Sequence, residues 1–269
     1  MSLATKPAAS FADRYQSVLV PVIFKPWAGE LIRRADPLPG EHILDLACGT
    51  GVVTRQIAEM GLSPGSLTAA DHSLDMLDLA CKLAGHAGVE AEWFEADAGD
   101  LPFEDDTFDL AFCQQALQFF PDRPAALLEL HRVLKDSGRV IFGVQQALEI
   151  NPMLSAQAQA LDRHVGPDAG AAVRAICGLT DADALRELFE GAGFREVEIE
   201  SVTLTLIHPD AREFALGAMG GMHTGDKLSG LGEDAIERAV EDFLEGLGDC
   251  YDGTAMRFPH TSHVIQAHA

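Results

Sequence analysis

The stretch HILDLACGTGVV, residues 42–53, is the part of the chain from which the fold can be predicted. An apolar run containing Asp45 is followed at once by Gly49 and Gly51, with a helical pattern behind them. A strand, a tight glycine turn and a helix in this order bring the backbone very close to a ligand. The ligand of such a turn can be a phosphate, a dinucleotide or another adenosine-bearing cofactor.

The composition argues against several kinds of partner. The 269 residues include 42 acidic and 19 basic side chains, which gives a formal net charge of −23. Because a nucleic-acid-binding surface needs clustered Lys and Arg, and the basic residues here form no run, we expect no nucleic acid partner. The excess of acid also argues against an anionic membrane surface, and no apolar run is long enough to span a bilayer.

The five cysteines are scattered through the chain without a C-x-x-C pair. This spacing predicts neither a disulfide framework nor a zinc site, and we expect no metal centre. Free thiols are typical of a reducing compartment, so the sequence favours a cytoplasmic protein.

Short apolar runs alternate with helical patterns through the first half of the chain. We predict strands over residues 42–47, 66–71, 89–97, 108–115 and 139–144, and helices over 52–60, 73–87 and 124–134. Strands that alternate with helices of this length form a parallel sheet buried on both faces, with the ligand at the carboxyl ends of the strands.

Two further regions frame this core. After residue 144 we predict helices, a long strand over 194–207, and a last strand at the C-terminus. Near the N-terminus, apolar residues follow a helical stripe that Pro21 and Pro26 interrupt, which predicts a pair of short helices. These helices either cover the sheet edge or form a lid over the site.

The residues around the turn narrow the choice of ligand. A P-loop is excluded because no glycine is followed by lysine, and Thr54 takes the place of the third glycine in the dinucleotide fingerprint. Asp71 ends the second predicted strand, where a carboxylate can accept hydrogen bonds from ribose hydroxyls. Asp97 ends the third strand at the same edge as Asp45 and Asp71. Three carboxylates suit a cationic cofactor such as S-adenosylmethionine better than a diphosphate.

Four motifs carry a family resemblance: LDLACGTG, ADHSLDML, ADAGDLPFEDDTFDLAFCQQALQFFPD and HRVLKDSGRVIFGV, in this order within residues 42–144. The set resembles the class I S-adenosylmethionine-dependent methyltransferases, and most closely the small-molecule branch similar to the ubiquinone and menaquinone biosynthesis enzymes. The resemblance implies an α/β, Rossmann-like, seven-stranded and mostly parallel sheet. It also implies an antiparallel last strand, helices on both faces, a helical N-terminal cap and C-terminal insertions.

We expect a single methyltransferase domain over residues 1–269. It divides into a helical lid (1–35), a cofactor-binding core (36–145), substrate-side helices with the sixth strand (146–255) and the final strand (256–269). The resemblance covers about half of the chain, and the remainder is where such families choose their substrates.

The resemblance assigns the glycine turn to the methionine portion of S-adenosylmethionine. Gly49 and Gly51 approach the cofactor, and Ala47, Cys48 and Thr50 line the same loop. Many members have a glycine where this chain has Ala47, which is a departure from the family pattern.

The same resemblance assigns the adenosine portion to the next two strand ends. Asp71 accepts from the ribose hydroxyls, and His72 and Met76 flank the adenosine. Asp97 and Ala98 bind adenine, through the carboxylate and a backbone N–H.

The remaining expectations concern the reacting end of the site. Asp45 helps to hold the cofactor's ammonium, and Gln114 lies near the methyl group. Gln115 and Leu117 face the substrate chamber. Because the sulfonium activates its own methyl group, a conspicuous catalytic set is not required. Tyr15, with its hydroxyl toward the cofactor or acceptor, and Gln115 are the candidates for a catalytic role.

The sequence thus predicts an enzyme that transfers a methyl group from S-adenosylmethionine to a carbon, oxygen or nitrogen of a small acceptor, leaving S-adenosylhomocysteine. We expect a largely apolar acceptor. Residues 145–255 are mixed apolar and small with few basic side chains, which argues against a phosphorylated or strongly anionic acceptor, and a homodimer is left open. Two alternatives remain: an NAD(P)-dependent oxidoreductase, and a non-catalytic protein that binds an adenosyl cofactor.

Overall fold

The computed structural model describes residues 10–219, 227–228 and 230–269. Within these residues, seven strands form one sheet in the order β3-β2-β1-β4-β5-β7-β6. The strands are β1 (His42–Leu46), β2 (Ser66–Asp71), β3 (Glu92–Glu95), β4 (Phe108–Gln114), β5 (Leu134–Gln145), β6 (Arg195–His208) and β7 (Met256–His268). The strands β1 to β5 pair in parallel, and β7 runs antiparallel to both of its neighbours. The predicted fold, with its antiparallel last strand, is confirmed.

Helices connect the strands and extend beyond them. The α-helices are α1 (Phe11–Arg14), α2 (Lys25–Ala35), α3 (Val52–Glu59), α4 (Leu74–Ala87), α5 (Arg123–Val133), α6 (Pro152–His164), α7 (Ala171–Ile176), α8 (Ala182–Gly191), α9 (Ala211–Met219) and α10 (Glu233–Gly246). A π-helical segment, Tyr15–Phe24, joins α1 to α2. Part of the predicted lid (1–9) and part of the helical stretch predicted over 208–253 lie outside the described residues.

The core lies on both faces of the central strands because neighbouring strand residues point in opposite directions. On β1, Ile43 belongs to the core that also holds Trp27 and Leu31 of α2. Its neighbour Leu44 belongs to a second core, which includes Leu130 of α5. Strands buried on both faces explain why the predicted parallel strands appear as continuous apolar runs.

The N-terminal helices differ from the prediction. The helical path runs without a break from Phe11 to Ala35, so the predicted interruption at Pro21 and Pro26 is wrong. Pro21 lies inside the π-helical segment, whose hydrogen bonds reach back five residues instead of four. Pro26 is the second residue of α2 and directly follows the π-helical segment, whose last hydrogen bond runs from the Lys25 N–H to the Val20 carbonyl.

Two strand boundaries also differ. The strand β3 is limited to Glu92–Glu95 because it is an edge strand with a partly exposed, polar sequence. The strand β5 begins at Leu134 instead of the predicted residue 139 and includes the Lys-Asp-Ser-Gly stretch. Leu134 already pairs with Phe108 of β4, with a register shift before the regular ladder resumes at Arg139.

The strands β6 and β7 form an arm that projects beyond the carboxyl edge of the sheet. Pairing of β5 with β7 ends at Gln145 and Ser262. Pairing of β6 with β7 continues past this point as far as His208 and Met256. The arm raises His260, which pairs with Leu204, above the ends of the parallel strands. In the part of the chain that the structure describes, no helix has the length and apolar character to cross a membrane.

Candidate functional site

The carboxyl ends of four neighbouring strands bring polar side chains to one edge of the sheet. Asp45 lies near the end of β1, and Asp71 ends β2, the neighbour on one side. Gln114 ends β4, the neighbour on the other side, and Gln145 ends β5. The position agrees with the rule that open α/β sheets bind ligands outside the carboxyl ends of their strands.

The turn after β1 contains three residues in the left-handed region. The φ angles are 54° for Ala47, 55° for Gly49 and 73° for Gly51. Glycine adopts this conformation without steric cost, whereas Ala47 is strained there. At Gly51 a side chain is also excluded by contact, because a Cβ atom would lie 2.6 Å from the indole ring of Trp93.

Asp71 fixes the turn against β2. It is buried, and its Oδ2 atom accepts a hydrogen bond from the Gly49 backbone N–H at 2.8 Å. Its Oδ1 atom accepts from the Ser73 N–H at 2.9 Å. The carboxylate therefore determines the path of the turn as well as lying beside the predicted ribose position.

Asp45 is buried behind the same turn. Its Oδ2 atom accepts from both the backbone N–H and the hydroxyl of Thr54, at 3.1 and 2.7 Å. Burial raises the pKa of Asp45 to about 6, against the lowering effect of the Thr54 hydrogen bonds. Burial also raises the pKa of the Cys48 thiol well above its usual range, so Cys48 is not an activated nucleophile.

Arg55, the cation beside the turn, donates hydrogen bonds to oxygen atoms of the protein. The Arg55 guanidinium donates to the Thr50 backbone carbonyl and, at 3.3 Å, to Oε1 of Gln16. The Thr50 hydroxyl donates to the same Gln16 oxygen at 2.7 Å. Gln16 thereby links the π-helical segment to the glycine turn.

The π-helical segment also brings Tyr15 and the backbone of Phe24 to the site. The Tyr15 hydroxyl lies 3.9 Å from the position that a Cβ atom on Gly49 would occupy. Burial, together with Asp71 and Asp45, raises the pKa of Tyr15 well above its usual range. Gln114 donates from Nε2 to the Phe24 carbonyl at 2.8 Å. The N-terminal segment therefore covers the turn directly.

The residues predicted for the adenosine portion are less enclosed. The side chain of His72 is 84% exposed, with Nδ1 3.5 Å from Oδ1 of Asp71. Asp97 is exposed and accepts from the Gly99 N–H at 2.8 Å, whereas Ala98 is half-buried. Met76 is buried. The structure thus brings Met76 to the interior and leaves His72 and Asp97 accessible to solvent.

A chamber of about 630 Å³, its mouth included, begins at the residue after Gln114. The walls are mainly apolar side chains with four glutamines and one histidine among them. The residues that line it are Leu19, Ile23, Phe24, Gln115, Gln118, Phe119, Gln145, Met153, Leu154, Gln157, Ala172, Val173, Ile176, Phe214 and His260. Gln115 lies in the chamber wall as predicted.

Leu117 does not line this chamber, so that prediction is wrong. The chain turns sharply after β4, where Gln115 has a φ of 56°. The turn directs Leu117 to the opposite side, where it is fully buried with Leu127 and Leu130 of α5. Phe119, two residues further, returns to the chamber wall.

The side-chain N–H groups of the chamber glutamines donate hydrogen bonds to other groups of the protein. Gln115 donates from Nε2 to the Ser262 hydroxyl, and Gln118 donates to the Gln115 backbone carbonyl. Gln145 and Gln157 donate to backbone carbonyls in the same way. The Oε1 atoms of Gln114, Gln115 and Gln118 are buried and have no hydrogen-bond partner among the residues that the structure describes.

His260 is the one titratable side chain among the described lining residues. Trp27 of α2 donates from Nε1 to His260 Nδ1 at 2.8 Å. Burial lowers the pKa of His260 to about 3, so the imidazole is neutral and carries its proton on Nε2. The ring of this lining residue is therefore a neutral imidazole with one N–H to donate, and it is not a base.

Sequence reasoning missed Gln118, Gln145, Gln157 and His260 as chamber residues. They come from the turn after β4, from β5, from α6 and from β7, and no spacing in the sequence connects them. Only the assembled sheet, with α6 and the projecting arm beside it, brings them together.

Comparisons with known proteins agree with this geometry. Residues 44–142 match a family model described as a methyltransferase domain. A demethylmenaquinone methyltransferase of Lactococcus lactis subsp. lactis is 30% identical over 206 residues, which cover 71% of this chain and 81% of the relative. A 2-phytyl-1,4-naphtoquinone methyltransferase of Synechococcus elongatus is 34% identical over 148 residues, covering 54% of this chain and 63% of the relative.

Solved structures share the fold. A methyltransferase-like protein from an antibiotic biosynthesis pathway of Anabaena variabilis has a TM-score of 0.62 at 17% identity, covering 93% of this chain and 98% of that chain. An N-methyltransferase of Haemonchus contortus, solved with S-adenosylhomocysteine, has a TM-score of 0.57 at 18% identity, covering 98% of this chain and 61% of that chain. At these identities the structures define the fold class, a Rossmann-like methyltransferase sheet.

The sequence relatives define the family: the chain belongs to the S-adenosylmethionine-dependent methyltransferases. It is an enzyme of this class that acts on a small molecule, with S-adenosylmethionine as its cofactor. The two alternatives, an oxidoreductase and a non-catalytic binding protein, are not favoured. The buried carboxylates at the glycine turn and the unpartnered Oε1 atom of Gln114 fit a cofactor that carries positive charge and N–H donors.

Proposed function

We propose that this enzyme methylates a small, largely apolar aromatic acceptor of the quinone type, held in the chamber beside the glycine turn. One observation carries the proposal: the apolar chamber begins at Gln115, the neighbour of Gln114 at the cofactor edge. The relatives, a demethylmenaquinone methyltransferase and a 2-phytyl-1,4-naphtoquinone methyltransferase, support an acceptor of this chemistry.

For the cofactor, we propose that the residues of the turn and of the strand ends hold S-adenosylmethionine. The set consists of Asp45, Ala47, Cys48, Gly49, Thr50, Gly51, Asp71, His72, Met76, Asp97, Ala98 and Gln114. The backbone of the turn contributes N–H groups and the buried carboxylates contribute negative charge, which suits an ammonium and ribose hydroxyls.

The cofactor, when bound, supplies a methyl group that is already activated for nucleophilic attack. The task of the chain is then to align the acceptor and to exclude water. Tyr15 contributes to this by lying over the glycine turn, and Gln114 by joining the end of β4 to the N-terminal segment.

In the proposed mechanism, no described side chain of the chamber removes a proton from the acceptor before methyl transfer. Among the described lining residues, His260 alone is titratable, and its free nitrogen carries a proton. In the proposed scheme the acceptor reacts through an electron-rich ring carbon or an ionised hydroxyl, which needs no base from the described lining residues. Gln115 positions the acceptor in this scheme and takes no proton.

We further propose that residues 1–35 act as a lid over a cofactor-binding core at 36–145. In this division, 146–255 contributes the substrate-side helices and the sixth strand, and 256–269 the final strand. Support comes from the links of Gln16 to the glycine turn and of Gln114 to the Phe24 carbonyl.

Methyl transfer to a defined acceptor tests the proposed reaction. The enzyme, S-adenosylmethionine with a labelled methyl group and 1,4-naphthohydroquinone are incubated without oxygen, and the products are analysed by mass spectrometry. We expect a singly methylated naphthohydroquinone and one equivalent of S-adenosylhomocysteine. Transfer to aliphatic amines but to no aromatic acceptor would contradict the proposed acceptor and leave the reaction class intact.

A further inference from the structure

The hydrogen bond between Trp27 and His260 determines which nitrogen of the imidazole carries the proton. The indole Nε1–H of Trp27 donates to His260 Nδ1 at 2.8 Å. Because an indole nitrogen can only donate, Nδ1 must be the unprotonated nitrogen, and the ring carries its single proton on Nε2. A protonated ring would direct a second N–H group against the indole N–H. The geometry of this bond therefore defines His260 as a neutral ring with an N–H group at Nε2.

The Nε2 atom of His260 is unused by the protein and open to the chamber. The residue is buried, with 3% exposure, and what remains accessible lies in the chamber wall. Nε2 makes no hydrogen bond with the residues that the structure describes. The Oε1 atoms of Gln115 and Gln118 are also unpartnered but completely enclosed, whereas His260 Nε2 keeps accessible surface. A molecule in the chamber can therefore reach this N–H group.

The imidazole is held rigidly at the arm side of the chamber. His260 lies on β7, where it pairs with Leu204 of β6, and its ring packs against the fully buried indole of Trp27 with the ring centroids 5.8 Å apart. A donor on such a rigid support discriminates between ligands, since it cannot turn away to find another partner.

The surroundings of this N–H group indicate what it can bind. The described lining residues include no charged side chain, and most of them are apolar. A buried N–H group that meets a hydrocarbon loses its hydrogen bond to water without a replacement, which is costly. An N–H donor also repels an ammonium group, which carries donors alone. The partner that fits this position is a neutral or anionic oxygen atom.

From this geometry we infer that the Nε2–H of His260 donates a hydrogen bond to an oxygen atom on the ring of the acceptor. This bond selects rings that carry an oxygen over hydrocarbon rings of the same shape. The inference rests on the proposed function and adds to it a residue that determines specificity, on the arm of β6 and β7 and away from the cofactor-binding turn.

The test compares two probes of nearly the same shape, 1-tetralone and tetralin, which differ by one carbonyl oxygen in place of two hydrogen atoms. Neither probe has a hydrogen-bond donor or an ionisable group, so the difference between them reports on a donor of the protein. Binding of each probe to the full-length protein saturated with S-adenosylhomocysteine is measured by calorimetry. We expect the wild type to bind both probes, and the ratio of the two affinities is the reference for the variants.

Substitutions at position 260 assign the oxygen contact to the ring N–H. In His260→Phe, which keeps a ring without a donor, we expect 1-tetralone to bind about five- to tenfold more weakly and tetralin to change less than about twofold. His260→Gln, whose amide supplies an N–H group, should keep most of the wild-type ratio. The matched control is His268→Phe, at an exposed position of the same strand, which should leave both affinities unchanged.

A double variant covers the case in which His260→Phe does not fold. His260→Phe leaves the indole N–H of Trp27 without its acceptor, and this orphaned donor is removed in Trp27→Phe/His260→Phe. The double variant should show the same selective loss of 1-tetralone binding. Unchanged binding of S-adenosylhomocysteine shows that each variant is folded.

The outcomes separate this inference from the proposed function. An unchanged affinity for 1-tetralone in His260→Phe or in the double variant, or an equal loss of both probes, would overturn the inference and leave the aromatic acceptor in place. Binding of neither probe to a wild-type protein that still binds S-adenosylhomocysteine would overturn both.

Discussion

At the scale of single residues, the glycine turn combines strain and burial within a few positions. Ala47 has a positive φ although an alanine side chain is unfavourable there. Asp45, two residues earlier, is a buried carboxylate with a raised pKa. Both features lie where the backbone must approach a ligand, and each leads to a measurable expectation.

The strain at Ala47 predicts that glycine stabilises the protein at this position. Relief of the left-handed strain exceeds the added entropy of the unfolded chain, so Ala47→Gly should raise the free energy of unfolding by roughly 0.5–1 kcal/mol. Chemical denaturation without cofactor measures this change. Ala171→Gly, at the exposed first residue of α7, relieves no such strain and should leave the protein no more stable than the wild type. Destabilisation by both changes would show that Ala47 is not strained.

The raised pKa of Asp45 predicts a pH dependence of cofactor binding. If the ionised carboxylate holds the ammonium group, affinity is complete above the folded pKa of about 6 and falls as the pH drops below it. S-adenosylhomocysteine should bind about tenfold more weakly at pH 5 than at pH 8, with a proton released on binding at the lower pH. Calorimetry in buffers of different ionisation enthalpy detects this proton. Asp45→Asn should bind weakly at both pH values, and a pH-dependent loss retained in this variant would assign it to another group.

At the scale of elements, the N-terminal helical segment is coupled to the glycine turn by side-chain hydrogen bonds. Gln16 accepts from Thr50 and Arg55, and Gln114 donates to the Phe24 carbonyl. From the sequence, helices were predicted in this segment, and a lid over the site was one of two interpretations of them. The sequence could not predict the contacts, because they depend on the π-helical turns that carry the path through Pro21.

Loss of the Gln16 link should weaken cofactor binding without unfolding the protein. Gln16→Ala removes two hydrogen bonds at the turn, and we expect S-adenosylhomocysteine to bind about three- to tenfold more weakly. Ser17→Ala is the matched control, because Ser17 is exposed and its hydroxyl donates only to the Arg14 carbonyl of its own helical segment. Equal affinities in the two variants and the wild type would show that the segment is not coupled to the site.

At the scale of the whole molecule, the arm of β6 and β7 joins the C-terminal half of the chain to the N-terminal helices. The hydrogen bond from Trp27 to His260 connects residues 233 positions apart and is buried in the chamber wall. The substrate side of the site therefore depends on contacts between the two ends of the described chain.

We predict that removing the Trp27–His260 hydrogen bond by a small substitution lowers the stability of the protein substantially. Trp27→Phe keeps an aromatic ring but leaves His260 Nδ1 without its donor, so we expect a destabilisation of about 2 kcal/mol. The thermal midpoint should fall by about 4–8 °C. Trp93→Phe serves as the control, since Trp93 is half-buried and takes no part in this bond, and it should cost less than half as much. Equal effects would mean that ring volume, and not the hydrogen bond, determines stability here.

The contrast between turn and chamber explains how much the sequence could predict. The β1 turn, its acid and the alternation of strands and helices are local patterns, and each was predicted close to its observed bounds. The chamber residues Gln118 and His260 are separated by more than a hundred positions, and their neighbourhood follows from the register of β7 beside β5. Leu117 was assigned to the wrong side because the positive φ of Gln115 has no sequence signal.

The most direct test of this account is calorimetric titration of the protein with S-adenosylhomocysteine, with NADH as the comparison ligand. We expect saturable binding of one S-adenosylhomocysteine per chain and none of NADH. In Asp71→Asn the affinity should fall at least about tenfold, since a buried carboxylate at the proposed ribose position is lost. Asp78→Asn, at an exposed position of α4, should bind like the wild type. Binding of NADH alone, or an Asp71→Asn variant with unchanged affinity, would contradict the assignment of the carboxyl-edge site to S-adenosylmethionine.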